Sequence, residues 1–314
     1  MVILMSGATG TVGREVIRAL NDQASFLKGE KIQVRLLVRN EEKARSLLDQ
    51  FENIQFSYVV GDLNDLEKVR VDDLFSNVER LFLLTISSPW QAKIESGFVH
   101  LAVKYCTTLK QIIRVSALGS SYDRDINCLM RWHNDSERAI QHLVDNTEVK
   151  LVILRPNLFL QNFISQDLAV IKSQGAFYRP MSDRSVPYQI SHVDVRDIGD
   201  LAAVVLIEPV EKHANQTYNI TGPQSLNYDQ LAQIMSKAIG AEVKHVPIPE
   251  DVFANNLQQM NMPSFVMWML VKLFQMYKVN GITANVHGDF KIVTGKEPRS
   301  AEQFFSDFKN EFIV

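Results

Sequence analysis

Regular alternation of apolar strands with helical patterns is the feature that most narrows what the first half of this chain can become. Strand-like runs read V-I-L-M (2–5), I-Q-V-R-L-L-V (32–38), I-Q-F-S-Y-V-V (54–60), R-L-F-L-L-T (80–85), Q-I-I-R-V-S (111–116) and K-L-V-I-L (150–154). Helical patterns at 12–20, 41–50, 64–74, 90–107 and 129–145 separate them. Strands joined by helical crossovers pair in parallel, because the helix carries the chain back to the starting edge of the next strand. Near-continuous Val, Ile and Leu in several runs suits strands covered on both faces. The expected fold class is α/β, a doubly wound parallel sheet with helices on both faces.

After Arg155-Pro156 the rhythm changes. A helical stretch near 162–173 precedes a polar loop, Y-R-P-M-S-D-R-S-V-P (178–187), and Asp194 reads as the N-cap of D-V-R-D-I-G-D-L-A-A-V-V-L. A strand Q-T-Y-N-I (216–220) ends at Thr221-Gly222-Pro223, and mostly helical material follows. A chain of 314 residues suggests about two folding units. The expected division is a nucleotide-binding domain from 1–157 plus 188–220, and a smaller, mostly helical C-terminal substrate lobe from 158–187 plus 221–314.

Composition removes several classes of function. With 46% hydrophobic residues the chain can build a core without a metal or a disulfide, and Cys106 and Cys128 have neither spacing. Both cysteines read as small buried apolar residues. A net charge of -3 without a Lys/Arg cluster argues against nucleic acid as the partner. The apolar run 265–277 is interrupted by Lys272 and is shorter than the ~20 residues of a membrane span. The initial M-V-I-L-M is too short for a signal segment, so a cytoplasmic protein is expected.

S-G-A-T-G-T-V-G places Gly7, Gly10 and Gly13 between the first strand and the first helix. This is the context in which such glycines allow a tight turn, close approach to a pyrophosphate, and close helix packing, as in a Rossmann domain. The diphosphate would rest at the helix N-terminus, where free N–H groups favour an anion. Gly7, Thr9, Gly10, Thr11, Val12 and Gly13 are therefore candidate cofactor-binding residues. At the end of the second strand, where an acid would read a ribose hydroxyl, stands Arg39, with Lys43 one helical turn on. A guanidinium suits a 2′-phosphate, which favours NADP (NADPH) over NAD. Asp62 and Leu63, after the third strand, are candidates for the adenine end; Asp62 reads equally as a turn residue before Asn64. Thr85 and Ser87 after the fourth strand, and Pro156, Asn157 and Phe159 after the sixth, sit where parallel sheets bind ligands.

R-W-H-N-D-S-E-R (131–138) puts His133 and Glu137 on one helix face. Two readings stay open. Imidazole could donate a proton with Glu137 orienting it, or the segment is a polar helix surface with Glu137 paired to an arginine. His192 reads as a packed structural histidine. The helix-like run 263–277 is either buried or lines an adaptable pocket.

Together G-A-T-G-T-V-G (7–13), L-V-R-N-E-E-K-A (37–44), V-V-G-D-L (59–63), V-S-A-L-G (115–119), L-R-P-N-L-F-L-Q-N-F (154–163) and H-V-D-V-R-D-I-G (192–199) resemble the NmrA-like branch of the atypical short-chain dehydrogenase/reductase superfamily. That resemblance covers essentially the whole chain. It implies an NADPH-dependent reductase acting on a quinone, dye-like cation or imine, or a non-catalytic NAD(P) sensor acting through a protein partner. A small apolar or aromatic substrate is the expected ligand of the enzyme, and a homodimer or a regulatory partner is compatible with either. The superfamily's usual device is a serine after the fifth strand with Tyr and Lys spaced Y-x-x-x-K on the next helix. Ser116 matches the serine, while His133 and Glu137 replace the pair; Tyr122 precedes the helix and is a poor substitute. Ser116, His133 and Glu137 are the candidate catalytic residues.

Overall fold

Period-two alternation in the strands decides which helices cover which face of the sheet. In β1 (Val2–Met5), Ile3 and Met5 point into one core and Leu4 into another. The computed structural model, which describes residues 1–24, 32–121, 128–180, 188–259 and 262–313, shows the same division in every central strand. The remaining elements are α1 (Thr11–Ala24), β2 (Gln33–Val38), α2 (Glu41–Leu48), β3 (Gln55–Val60), α3 (Val71–Phe75), β4 (Val78–Leu83), α4 (Gln91–Tyr105), β5 (Gln111–Val115), α5 (Cys128–Val144), β6 (Lys150–Pro156), α6 (Leu168–Gln174) and β7 (Ala176–Pro180). There follow α7 (Val195–Ile207), β8 (Thr217–Ile220), α8 (Tyr228–Ile239), β9 (Lys244–Ile248), α9 (Glu250–Gln259), α10 (Ser264–Asn280), α11 (Asp289–Thr294), α12 (Ala301–Asp307) and α13 (Lys309–Phe312).

A seven-stranded sheet runs in the order β3-β2-β1-β4-β5-β6-β8, with every neighbouring pair parallel. The doubly wound Rossmann sheet expected from the alternation is what forms. Strand order reverses beside β1, between β2 and β4, and that is where the crevice for a ligand opens. One face carries α1 against α7, with Val16, Ile17 and Leu20 meeting Ile198, Leu201 and Ala202. Gly199 lets the helices touch, since a Cβ there would lie 2.5 Å from the Glu15 carbonyl oxygen. The other face carries α4 and α5, through Phe98, Val99, Ala102, Ile140 and Val144. Asp194 caps α7 as expected, its side chain accepting from the Arg196 amide at 2.9 Å.

Three local expectations give way. The helix read at 64–74 is a single 3-10 turn (Leu66–Lys68) followed by the short α3. The fourth strand begins and ends two residues earlier than read, so Thr85 stands in the loop beyond Leu83. Residues 178–180 are not loop but the end of β7, which pairs in parallel with β9 to form a second, two-stranded sheet. Residues 181–187, like Tyr122, lie outside the described residues.

The second core gathers Phe163, Phe177, Tyr228, Leu231, Phe304 and Phe305. Helix α10 divides along its length: Leu273, Phe274, Met276 and Tyr277 are buried there, while Trp268 is 53% exposed. Helix α11, assigned from sequence to the lobe, packs Phe290 into the sheet-face core instead. Cys106 is buried as expected; the Cys128 side chain lies outside what is described. No described helix is long and apolar enough to cross a membrane.

Candidate functional site

A cleft of about 600 Å³ opens at the carboxyl ends of β1, β2, β3 and β4. Its floor is the loop from Ser6 to Val12, shaped by the glycines at its two ends. Gly7 has φ +66°, a conformation that side chains rarely adopt, and a Cβ there would lie 2.8 Å from the Leu84 carbonyl oxygen. Gly13 is tighter still, since its Cβ would fall 2.3 Å from the Gly7 oxygen. The loop therefore presses directly onto the first turn of α1, which holds no acidic side chain to compete for an anion. That cradle fits a diphosphate. Thr9, Gly10, Thr11 and Val12 line it, and Gly13 closes it from behind.

Arg39 lies exposed where the cleft continues into a hollow of about 350 Å³ shared with Thr9, Val38, Asn40 and Lys43. Asn40 caps α2 by accepting from the Lys43 amide, and this brings Lys43 beside Arg39 at the hollow. Asp62 and Leu63 form the opposite wall. The Asp62 carboxylate accepts from the Asn64 backbone and side chain at 2.9 and 2.7 Å, so the turn-forming reading of Asp62 is realised at the cleft itself. Those bonds hold its carboxyl below the ordinary carboxylate range, with the charge of Arg39 a smaller contribution.

Beyond Leu84 the walls become apolar and aromatic. Thr85, Ile86, Ser88, Trp90, Ile94 and Phe159 line this end. Ile86 is 79% exposed and Trp90 60%, and the Trp90 ring meets Phe265 of α10 edge-on, with centroids 6.2 Å apart. Ile86, Trp90 and Phe265 were not singled out in the sequence. The available signal was an aromatic residue directly after S-S-P, at a strand's carboxyl end. Ser87 is half-buried between two lining residues. Pro156 and Asn157 do not reach the cleft: Asn157 is buried and donates to the carbonyl oxygens of Ser191 and Thr283 at 3.0 and 2.9 Å, a tie within the scaffold.

Behind Thr85 and Ser87 lies a buried polar network. Glu95, fully buried on α4, accepts from Thr85 Oγ1 (2.5 Å), Gln91 Nε2 (3.0 Å), Arg114 Nε (2.7 Å) and Ser136 Oγ. Arg114 Nη2 donates to His133 Nδ1 at 3.1 Å, and His133 Nε2 lies 3.0 Å from Ser87 Oγ. A guanidinium cannot accept, so His133 Nδ1 is the bare nitrogen and Nε2 carries the proton. Burial, with Arg114 alongside, pushes the His133 pKa well below its usual value. The ring is thus held neutral, which is unlike an imidazolium poised to donate near neutral pH.

Glu137 does not orient His133. It accepts from Ser116, from Ser120 at 2.7 Å, and from Arg155 at 3.1 and 2.5 Å. Neither is it a surface residue, being 5% exposed. Burial alone would raise its pKa, but Arg155 and the two serines hold it below the ordinary range. His133 and Glu137 share a helix face yet serve separate networks, and Ser116 belongs to the second.

His192 packs against Phe163 and Tyr228, its pKa lowered to about 3 by burial, with Arg179 adding to the shift. For both His133 and His192 the folded pKa lies below the unfolded one, so acid favours the unfolded chain. Their contribution is complete above about pH 6.5 and declines as pH falls, by about 1.4 kcal/mol per unit and per ring. Urea unfolding should show the protein less stable at pH 5 than at pH 7, the loss from the two rings exceeding the opposing gain from Asp197, whose buried carboxyl is raised to about 6. A flat profile across that interval would show that neither ring is buried neutral.

A model of the NmrA-like family matches residues 1–308. The chain belongs to that family. The resemblance read from residues 7–13, 37–44 and 154–163 is thereby borne out. An NAD(P)H azoreductase from Xenophilus azovorans is 27% identical over 303 residues, 96% of each chain. Among solved structures, the NADPH complex of an NADPH-dependent quinone oxidoreductase from Escherichia coli superposes with a TM-score of 0.78 at 20% identity, covering 98% of this chain and 99% of that one. Triphenylmethane reductase from Citrobacter sp., complexed with NADP(H), gives 0.75 at 23% identity over the same shares.

Proposed function

We propose that this NmrA-like protein is an NAD(P)H-dependent reductase, with NADPH as its cofactor and a quinone, dye-like cation or imine as its hydride acceptor. The observation that carries this reading is the continuity of one cleft. A glycine cradle on a helix N-terminus, built for a diphosphate, runs directly into a wall of Ile86, Trp90 and Phe159. When bound, a reduced nicotinamide supplies hydride. The Gly7–Gly13 loop and α1 would hold its diphosphate, Arg39 and Lys43 its 2′-phosphate, and Asp62 and Leu63 would flank its adenine.

The chemistry of the lining restricts the acceptor. Among the described residues lining the cleft, only Arg39 and Asp62 ionise, and both are at the proposed adenine end. No titrating side chain there is placed to protonate an alkoxide as a ketone is reduced. Acceptors already electron-poor need less such help, and positioning against an apolar wall can carry most of the rate. Trp90, with Phe265 against it, suits a flat aromatic ring and keeps water from it. The azoreductase, quinone oxidoreductase and triphenylmethane reductase relatives support the same class.

The test is NADPH consumption, followed by absorbance, against quinones, triphenylmethane dyes and azo compounds. Tight NADPH binding without turnover on any of them would instead favour a nucleotide sensor. Cofactor choice has its own check. Arg39→Ala should weaken NADPH by about 10- to 100-fold, the worth of charge-assisted bonds to a phosphate, and NADH hardly at all. Equal weakening of both would remove the reason for assigning NADPH.

A further inference from the structure

The buried network behind the cleft dictates which way two hydroxyl groups point. Glu95 is fully buried, salt-bridged to Arg114 and met by two donors on each oxygen, so in this network it accepts. Thr85 must therefore spend its one proton on Glu95, at 2.5 Å; one lone pair takes the Gln91 amide at 3.3 Å, and what is left for the cleft is the other. For Ser87 the sense is opposite. Arg114 fixes the His133 proton on Nε2, so the ring donates to Ser87 Oγ, and the serine's own proton is left to turn elsewhere. Among the described residues its hydroxyl has no second partner. One arginine, bonded to Glu95 through Nε and to His133 through Nη2, thus makes Thr85 an acceptor and Ser87 a donor.

A neighbouring acceptor and donor are the complement of a primary amide, which carries one NH2 and one carbonyl oxygen. We propose that Thr85 and Ser87 form an amide-reading pair for the nicotinamide carboxamide. Thr85 accepts from its NH2 and Ser87 donates to its oxygen, with Glu95, Arg114 and His133 setting the sense of both hydroxyls from behind. This rests on the reading that the cleft holds a nicotinamide dinucleotide. It gives His133 a positioning role through Ser87 and asks no proton of it. Fixing the carboxamide fixes which face of the ring is turned to the Trp90 wall.

Calorimetric binding tests the pair without requiring turnover. Thr85→Val and Ser87→Ala should each weaken NADP+ by about tenfold, the worth of one hydrogen bond, and leave adenosine 2′,5′-bisphosphate within twofold, which also reports that the variants fold. The 3-acetylpyridine analogue of NADP+ keeps the carbonyl and replaces NH2 by methyl. With it Ser87→Ala should still lose affinity and Thr85→Val should not. His133→Phe should repeat the Ser87→Ala pattern, and His133→Gln, whose amide both accepts and donates, should restore part of it. In 15N-labelled protein His133 should show a protonated Nε2 and a bare Nδ1. Unchanged NADP+ affinity in both hydroxyl variants, or a proton on Nδ1, would overturn the proposal. Tight, pair-dependent NADP+ binding with no NADPH consumed would leave the pair intact and sink the reductase reading alone.

Discussion

Glu95→Gln is expected to destabilise the protein by about 3–5 kcal/mol, a large part of the 5–15 kcal/mol that holds a typical domain folded. The reason is asymmetry between a paired and an unpaired buried charge. Glu95 and Arg114 are both fully buried and meet at 2.7 Å. Intact, their attraction offsets the loss of hydration; with the carboxylate gone, Arg114 keeps its charge and loses its closest partner. Glu137 cannot replace it, lying 3.8 Å from Arg114 Nη1 and already bonded to Arg155. The new amide NH2 would also face donors, Thr85 and Gln91 in the place of one oxygen or Arg114 and Ser136 in the place of the other. Urea unfolding measures the effect as a fall in midpoint at constant slope. Glu148→Gln, at a fully exposed site, should be near neutral. The double replacement Glu95→Leu with Arg114→Met should recover part of the loss, since no charge is left to solvate, although Thr85, Gln91 and Ser136 still lose their acceptor and His133 its donor. A loss below about 1 kcal/mol for Glu95→Gln would mean that Glu95 and Arg114 do not depend on each other as a buried ion pair.

That pair also shows where reading the sequence stops. Glu95 in Q-A-K-I-E-S-G-F passes for a solvated helix residue, because helical spacing says which residues share a face and not what that face meets. Arg114 carried the better signal, a charge inside the apolar run Q-I-I-R-V, which must find a partner if both sheet faces are covered. The partner comes from α4, 19 positions away in sequence. His133 and Glu137 fail for the same reason. Their spacing correctly placed them on one face, yet each meets a different strand's arginine, Arg114 of β5 and Arg155 of β6. The glycine loop, the strand alternation and the Asp194 cap were legible because a few adjacent residues determine them. The pairing of β7 with β9 joins segments that begin 68 residues apart (176 and 244), and neither is a strong strand alone.

Gly13→Ala should abolish measurable nucleotide binding, raising the NADPH Kd at least 100-fold, and should cost about 2–3 kcal/mol of stability. One methyl group does this because the atoms it meets are backbone: the Gly7 oxygen at 2.3 Å and the Ala8 Cα at 2.7 Å, neither able to rotate away. Relief requires α1 to withdraw from the loop, and the helix N-terminus is then no longer held at the cradle. Gly10→Ala separates this packing role from ligand contact. Its added carbon meets only the Gly7 oxygen, at 3.3 Å, and the residue is exposed, so the apo fold should stay within about 0.5 kcal/mol of wild type. If the diphosphate lies against the loop, that same exposed methyl occupies the space its oxygens need, and Gly10→Ala should lose NADPH affinity with no loss of stability. Wild-type affinity in Gly10→Ala, beside a disabled Gly13→Ala, would mean that the loop shapes the sheet edge without touching phosphate, and the dinucleotide site would have to be sought elsewhere in the fold.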